Sequence, residues 1–334
     1  MSYFFLVFLI LQSGMMHEII RDFPEQFSFE PVVVHADQLH MFKKFVVLGM
    51  GGSQQPSTLL HRMDPTVDIV HHRDYGLPQG VDLSDRLIIA SSYSGNTEET
   101  VDGAREAIRR GLPLAIITTG GELLRMAQEQ HIPHVVIPAT GIPPRCALGY
   151  AARSVMAVMG RADLLDATRA LTTLDATRAQ TQGTTIAQWC ENRVPVVYAS
   201  TRNEAIAYIW KIKFNETGKI PAFCNVVPEL NHNEMNGYDV VDATRSLSAN
   251  TVFIFLRDVT DDARIVRRMD VQRDLLRARG LNVQEFQVTG ATAYEQIFST
   301  ILAADWACLS IAQRYGLEPE AVEMVEEFKQ AIAK

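Results

Sequence analysis

The sequence predicts an α/β fold built from two doubly wound parallel sheets in tandem. Three observations lead there. Short apolar runs stopped by glycine or polar turns alternate with helical segments, the pattern of strand–helix–strand units. That rhythm runs once to about residue 138, breaks, and restarts near Val194. The chain has 334 residues, which suits two domains of roughly 100–200 residues each.

Taken in order, residues 1–34 read as an N-terminal leader and helical segment. Phe4–Leu11 (FFLVFLIL) is a run of 8 apolar residues, whereas a membrane span needs about 20. Only Met-Ser-Tyr precedes it, so the basic n-region of a signal peptide is missing. Met15 or Met16 offers an alternative start. No other stretch resembles a span, so no membrane partner is expected and the expected location is the cytoplasm.

The first domain is expected over 35–160. Phe45-Val-Val-Leu-Gly reads as a buried parallel strand entering a turn. A helix is predicted from Pro56 to Met63, and strands at Val67–His71 and Arg86–Ser91. A helix over Glu98–Arg110, a strand from Pro113 to Thr119, a helix over Glu122–Gln130 and a strand from His134 complete it. Residues 161–185 read as a polar linker helix. It carries Leu-Asp-Ala-Thr-Arg-Ala twice, at Leu165 and Leu174. The second domain is expected over 186–334, with strands from Val194, Asn250 and Asn282 and helices over Asn203–Lys213, Asp262–Arg279 and Tyr294–Tyr315.

Hydrophobic residues make up 47% and charged residues 21%, which excludes disordered, collagenous and coiled-coil readings. Lys+Arg 31 against Asp+Glu 39 gives a net charge of −8. A nucleic-acid partner is therefore not expected. A local anion site stays compatible, because backbone amides and one arginine can make one in an acidic protein. Cys146, Cys190, Cys224 and Cys308 are widely spaced and read as reduced thiols.

Two glycine- and hydroxyl-rich loops follow predicted strands. One is Gly49-Met-Gly-Gly52-Ser53; the other is Ser91-Ser92-Tyr-Ser94-Gly95-Asn-Thr97, which leads into a helix. One hydroxyl there is explained by helix capping. Three, at 92, 94 and 97, make a cradle for a phosphate at a positive helix end. Dinucleotide binding is disfavoured, since Gln54 stands where the third glycine of GxGxxG belongs. Gly141-Ile-Pro-Pro-Arg145 reads as a stiff, exposed loop presenting Arg145, either as an ordinary surface arginine or as a fixed cation.

In the second half, Glu216 closes a helix, and Pro228-Glu-Leu-Asn-His232-Asn-Glu234 brings together a carboxylate and an imidazole suited to proton transfer. A metal is not expected: His232-x-Glu234 is no HExxH and no second histidine lies nearby. On the last helix, Val322, Val325 and Ile332 share a face with Lys329. Lys329 either snorkels at the core edge or points its ammonium into a polar site.

The ordered set of motifs resembles the bifunctional phosphoglucose/phosphomannose isomerases of archaea and bacteria, which are built of SIS (sugar isomerase) domains. The likeness runs from about Asp22 to Lys334. It implies two SIS-type domains, a homodimer, a hexose 6-phosphate substrate and no metal or organic cofactor. It implies that Ser53, Ser92, Ser94 and Thr97 hold the 6-phosphate, within loops that include Gly52 and Gly95. It makes Glu216 the catalytic base, His232 the ring-opening histidine contributed by the partner subunit, Arg145 the cation beside the enediolate, and Lys329 a further catalytic group. Glu318-Pro-Glu320 departs from the family's usual Asp-Pro-Thr.

The chemistry fits those roles. Moving a C–H proton between adjacent carbons needs one carboxylate, and the developing enediolate needs a cation. An imidazole suits ring opening near neutral pH. The rival readings are another SIS activity, such as an amino-sugar phosphate isomerase, and a non-catalytic sugar-phosphate sensor. A sensor has no use for Glu216 and His232, and no helix-turn-helix segment is visible.

Overall fold

The computed structural model describes residues 14–332. The apolar run Phe4–Leu11 lies outside the described residues. The chain forms two compact units: Asp22–Leu174, and Asp175 onward together with the residues up to Arg21. Each follows the same rule. Parallel strands buried on both faces must be apolar throughout, and crossover helices must cover both sides.

A first helix, α1, occupies 14–21. In the first unit, a 3-10 turn at Phe23–Ser28 precedes β1 (Lys44–Leu48), α2 (Gln55–Met63), β2 (Asp68–His72), β3 (Arg86–Ser91) and α3 (Glu98–Arg109). Then come β4 (Leu114–Thr118), α4 (Gly121–Glu129), β5 (His134–Val136), α5 (Leu148–Val158) and α6 (Ala162–Thr168). The strand order is β2-β1-β3-β4-β5, and every pairing is parallel. Val46, Leu48, Ile88, Ala90 and Ile116 pack with Val101, Ala104, Leu123 and Met126 of α3 and α4. Helices α2 and α5 pack on each other, and α5 also meets β4 and β5.

The second unit contains α7 (Ala176–Trp189), β6 (Val194–Ser200), α8 (Glu204–Glu216), β7 (Phe223–Val227), α9 (Arg245–Ser248), β8 (Thr251–Arg257), α10 (Ala263–Ala278), β9 (Asn282–Gln287), α11 (Ala293–Tyr315) and α12 (Glu323–Ile332). Its sheet is parallel, in the order β7-β6-β8-β9. Tyr198, Phe253 and Phe255 pack against Met269 and Leu276 of α10. Trp210 of α8 stacks edge-on against Phe286, with ring centroids 5.1 Å apart, and α11 lies along α7 and α8. Among the described residues, no helix is long and apolar enough to cross a membrane. Cys146, Cys190 and Cys308 are buried and Cys224 half-buried, all unbridged.

Several elements differ from expectation. The segment before residue 35 is not an appendage throughout: from Asp22 it belongs to the first unit, with Phe23, Gln26 and Phe27 buried. The expected linker helix over 161–185 is broken. Helix α6 passes into a 3-10 turn at Arg169–Thr173, and α7 starts afresh because the Asp175 carboxylate accepts from the Arg178 N–H at 2.8 Å. The duplicated hexapeptide thus ends one helix and begins another. Helix α5 and strand β7 have no counterpart among the elements expected from sequence. Helix α12 has no buried residue. Val325 and Ile332, 46% and 52% exposed, do not form the core edge expected of them.

Two structural predictions follow from buried charge. The Lys213 ammonium of α8 meets the Asp305 carboxylate of α11 at 2.5 Å, with only 1% and 5% of the two side chains exposed. Removing one partner strands the other without its counter-charge, at a cost of about 3–5 kcal/mol. Lys213→Met should lower the urea midpoint accordingly, and Lys213→Met/Asp305→Leu should recover most of the loss.

His71 in β2 faces His61, with ring centroids 5.8 Å apart. Burial, aided by the charges of His61 and Arg73, pushes its imidazole from 6.5 down to about 4. The folded state therefore resists protonation that the unfolded chain accepts. This contribution to stability is complete above about 6.5 and is lost as pH falls toward about 4. An NMR titration should show no His71 transition at 6.5, and His71→Gln should flatten the acid limb of a stability-versus-pH curve.

Candidate active site

In the first unit, β1 and β3 are neighbours whose crossovers leave in opposite directions, β1 toward β2 and β3 toward β4. Loops following such a pair part at the carboxyl edge and open a crevice. The two hydroxyl-rich loops occupy that position. The 3-10 turn Gly51–Ser53 follows β1, and Ser92–Thr97 follows β3.

Hydrogen bonds tie the loops together. Ser91 Oγ donates to the Ser53 carbonyl at 3.0 Å, and the Tyr93 N–H donates to Ser53 Oγ at 2.9 Å. Ser92 Oγ and Thr97 Oγ1 lie 2.8 Å apart. The Gly95 N–H donates to Ser92 Oγ at 3.1 Å, and the Asn96 N–H to Ser94 Oγ at 3.3 Å. Thr97 stands at the N-cap of α3 but makes no side-chain cap bond. Its hydroxyl faces Ser92 instead, so capping does not account for it. Ser94 is exposed, Ser53 and Thr97 are half-buried, and Ser92 is buried. Neutral hydroxyls thus surround the start of a helix, the arrangement that favours an anion.

Gly95 has φ +72, and a Cβ there would sit 1.8 Å from the Gly120 carbonyl oxygen. No other residue fits. Gly52 is constrained by proximity: a Cβ would stand 3.0 Å from Pro144 C, Pro144 O and Arg145 N. The first hydroxyl-rich loop therefore lies against the turn that carries Arg145. That turn is a 3-10 element at Pro144–Cys146. Arg145 is 4% exposed, not presented on the surface as its proline-rich setting suggests.

In the second unit, Glu216 is the last residue of α8 and is half-buried. The Lys219 ammonium donates to its carbonyl at 2.6 Å and also to the Ala321 carbonyl. His232 ends a 3-10 turn, Glu229–His232, that follows β7, and it is exposed within the chain. Helix α8 runs from the carboxyl end of β6 to the amino end of β7, so Glu216 and His232 lie at opposite ends of β7. Five strand residues at about 3.3 Å each separate those ends by roughly 16 Å. The sequence spacing of 16 residues therefore does not make the two groups neighbours within one chain.

Glu234, a candidate partner for His232 from sequence, is engaged elsewhere. Tyr198 Oη donates to it at 2.6 Å, and Asn225 Nδ2 donates to its other oxygen. Burial and this carboxylate hold the Tyr198 phenol far above its ordinary range. Glu234 thus anchors the His232 loop to β6 and β7. Lys329 is on α12, exposed, and pairs with Glu326 at 2.7 Å.

The second sheet has its own switch point between β6 and β8, and acidic side chains fill it. Ser200 Oγ donates to Asp261 at 2.8 Å. Asn203 Nδ2 donates to Asp258 at 3.1 Å, which also accepts from the Thr260 N–H at 2.9 Å. In sequence this segment reads only as a polar turn. Carboxylates at this position are unsuited to an anion.

Comparison with known proteins identifies the family. Residues 179–332 match the family described as bacterial phospho-glucose isomerase C-terminal SIS domain. The chain is 31% identical over 327 residues to a bifunctional phosphoglucose/phosphomannose isomerase of Aquifex aeolicus, covering 95% of this chain and 98% of that one. It is 31% identical over 295 residues to the protein of that name from Thermoplasma acidophilum, covering 87% and 90%. Among solved structures, a hypothetical protein from Thermus thermophilus superposes with a TM-score of 0.67 at 14% identity, over 99% of this chain and 91% of the other. That likeness establishes the fold.

The crowding at Gly95 is directly testable. Gly95 and Gly80 share φ +72, but nothing lies within 4 Å of a Cβ at Gly80. Gly80→Ala should cost about 1 kcal/mol for the backbone alone, and Gly95→Ala about 3 kcal/mol with the overlap added. In calorimetry of the first unit's transition that difference is a further fall of roughly 4–8 °C.

Proposed function

The chain belongs to the family of bifunctional phosphoglucose/phosphomannose isomerases, and on that premise we propose that it interconverts glucose 6-phosphate and mannose 6-phosphate with fructose 6-phosphate. The observation that supports this most is the hydroxyl cradle at the first switch point. It is neutral, opens at a helix start, and is rigidly cross-bonded, which suits a sugar phosphate. The phosphate grip lies away from the reacting carbons and supplies binding energy for their orientation.

In this reading Ser53, Ser92, Ser94 and Thr97 hold the phosphate. Glu216 takes the proton from one carbon and returns it to its neighbour. Arg145 stabilises the oxygen on which enediolate charge develops. His232 moves the proton that opens the ring, with Lys329 assisting. The substrate is a polar dianion that does not cross membranes unaided. We therefore place the enzyme in the cytoplasm, serving glycolysis and gluconeogenesis.

The separation of Glu216 from His232 across β7 favours a homodimer in which each His232 serves the other subunit's Glu216. A C2 dimer makes such an exchange reciprocal. Glu216→Gln and His232→Ala should each lower kcat by about 10²–10⁴-fold. Mixing the two variants through a refolding step should restore about one quarter of wild-type activity, because half the dimers carry one intact site of two. A mixture no more active than its components would exclude the exchange. Full turnover in Glu216→Gln, followed by NMR on glucose 6-phosphate and on mannose 6-phosphate, would exclude Glu216 as the base.

A further inference from the structure

We propose that Gln26 is the positioning residue for Arg145: its buried side-chain amide clamps the turn that carries the arginine. The inference rests on the reading that Arg145 stabilises the enediolate. A guanidinium that acts on developing charge must be held to within a fraction of an ångström, since a 1 Å misplacement costs up to about 10²-fold in rate. Arg145 itself ends a flexible side chain, so the precision must come from its backbone.

Two constraints fix that backbone on the entering side. Pro143 and Pro144 set φ. Gly52 packs against Pro144 and Arg145, leaving no room for a Cβ. On the leaving side, the Cys146 and Ala147 N–H groups close the turn onto the Pro143 and Pro144 carbonyls at 2.8 and 3.2 Å, which leaves the start of the next helix to be held. Helix α5 begins there, its N-cap residue Ala147 offers no side-chain oxygen, and its first N–H groups lack intrahelical partners.

Gln26 supplies what is missing. Its Nε2 donates to the carbonyl of Cys146, the residue after Arg145, at 2.7 Å. Its Oε1 accepts from the Gly149 N–H at 2.9 Å and from the Tyr150 N–H at 3.4 Å. One amide therefore bonds the end of the arginine turn and caps α5 at once. Gln26 is 3% exposed, on a 3-10 turn whose Phe23 and Phe27 are also buried. Arg153 holds the same strap further along, donating to the Phe29 carbonyl at 2.5 Å and to Glu30 at 3.1 Å. Gly149 accommodates the insertion, since a Cβ there would stand 2.7 Å from Gln26 Cβ. A buried amide satisfied at both ends, reaching across 120 residues of sequence, is a rigid link.

The test compares Gln26→Met, Arg145→Ala and the double variant in the full-length protein, by coupled assay of hexose-phosphate turnover. Gln26→Met should lower kcat by about 10–100-fold with KM within about twofold. In the Arg145→Ala background the same change should have no further effect, because the group it positions is gone. Equal losses in both backgrounds would mean a general structural role and overturn the proposal. Wild-type kcat in Gln26→Met beside a crippled Arg145→Ala would overturn it while leaving the role of Arg145 intact. Undiminished turnover in Arg145→Ala would overturn both. Should Gln26→Met fail to fold, Gln26→Glu replaces it: the carboxylate still caps α5 but cannot donate to Cys146, and the same loss confined to kcat is expected.

Discussion

Two adjacent parallel strands whose connections depart in opposite directions leave a gap at the carboxyl edge of the sheet, and the rest of the first unit is arranged about that gap. The strands β1 and β3 are apolar because both faces are covered, so polarity is confined to the loops beyond them. Those loops carry hydroxyls and glycines, bonded to each other before any ligand arrives. The second unit repeats the architecture, yet its gap holds Asp258 and Asp261. The same topology thus gives one gap lined by neutral hydroxyls and one lined by carboxylates. The fold creates the position, and the loop chemistry decides what it accepts.

The second unit contributes by placing groups at the ends of its elements. Glu216 ends α8, and that helix is held one turn earlier by the buried pair Lys213–Asp305. His232 follows β7, and its loop is held by Glu234 through Tyr198 and Asn225. In each case the ionisable group that bonds inside the unit is the anchor. The group proposed for chemistry stands on the more open side. This division separates the residue proposed for acid–base work at 232 from the structural carboxylate two positions on at 234.

Much of the fold is legible in the sequence because burial on both faces writes itself there as uninterrupted apolar runs. Strands β1, β3, β4, β6 and β8 show themselves that way. Strand β7 does not, since it is an edge strand and mostly half-buried. Helix α5 leaves no such mark because it is buried nearly all round, which removes the alternation of an amphipathic helix. The hydroxyl loops are legible as local motifs at strand ends. Neither the burial of Arg145 nor the role of Glu234 can be read locally, because both involve residues distant in sequence: Gly52 lies against the Arg145 turn, and Tyr198 bonds Glu234. The periodicity of Val325 and Ile332 on α12 is real, but a periodic face predicts a cover without saying whether this unit provides it.

The burial of Arg145 follows from the same electrostatics that shape the surface. A chain with a net charge of −8 repels a dianionic substrate at long range. Screening limits this repulsion to about 8–10 Å at physiological salt. Capture then depends on short-range contacts, which in the proposed reading hydroxyls and helix N–H groups supply without adding charge. A cation inside the protein acts through a lower effective dielectric than one on the surface, so one guanidinium there is worth more than several outside. Its desolvation is costly unless its surroundings are fixed and bonded. The prolines and the close approach of Gly52 fix the backbone of the Pro144–Cys146 turn that carries this charge.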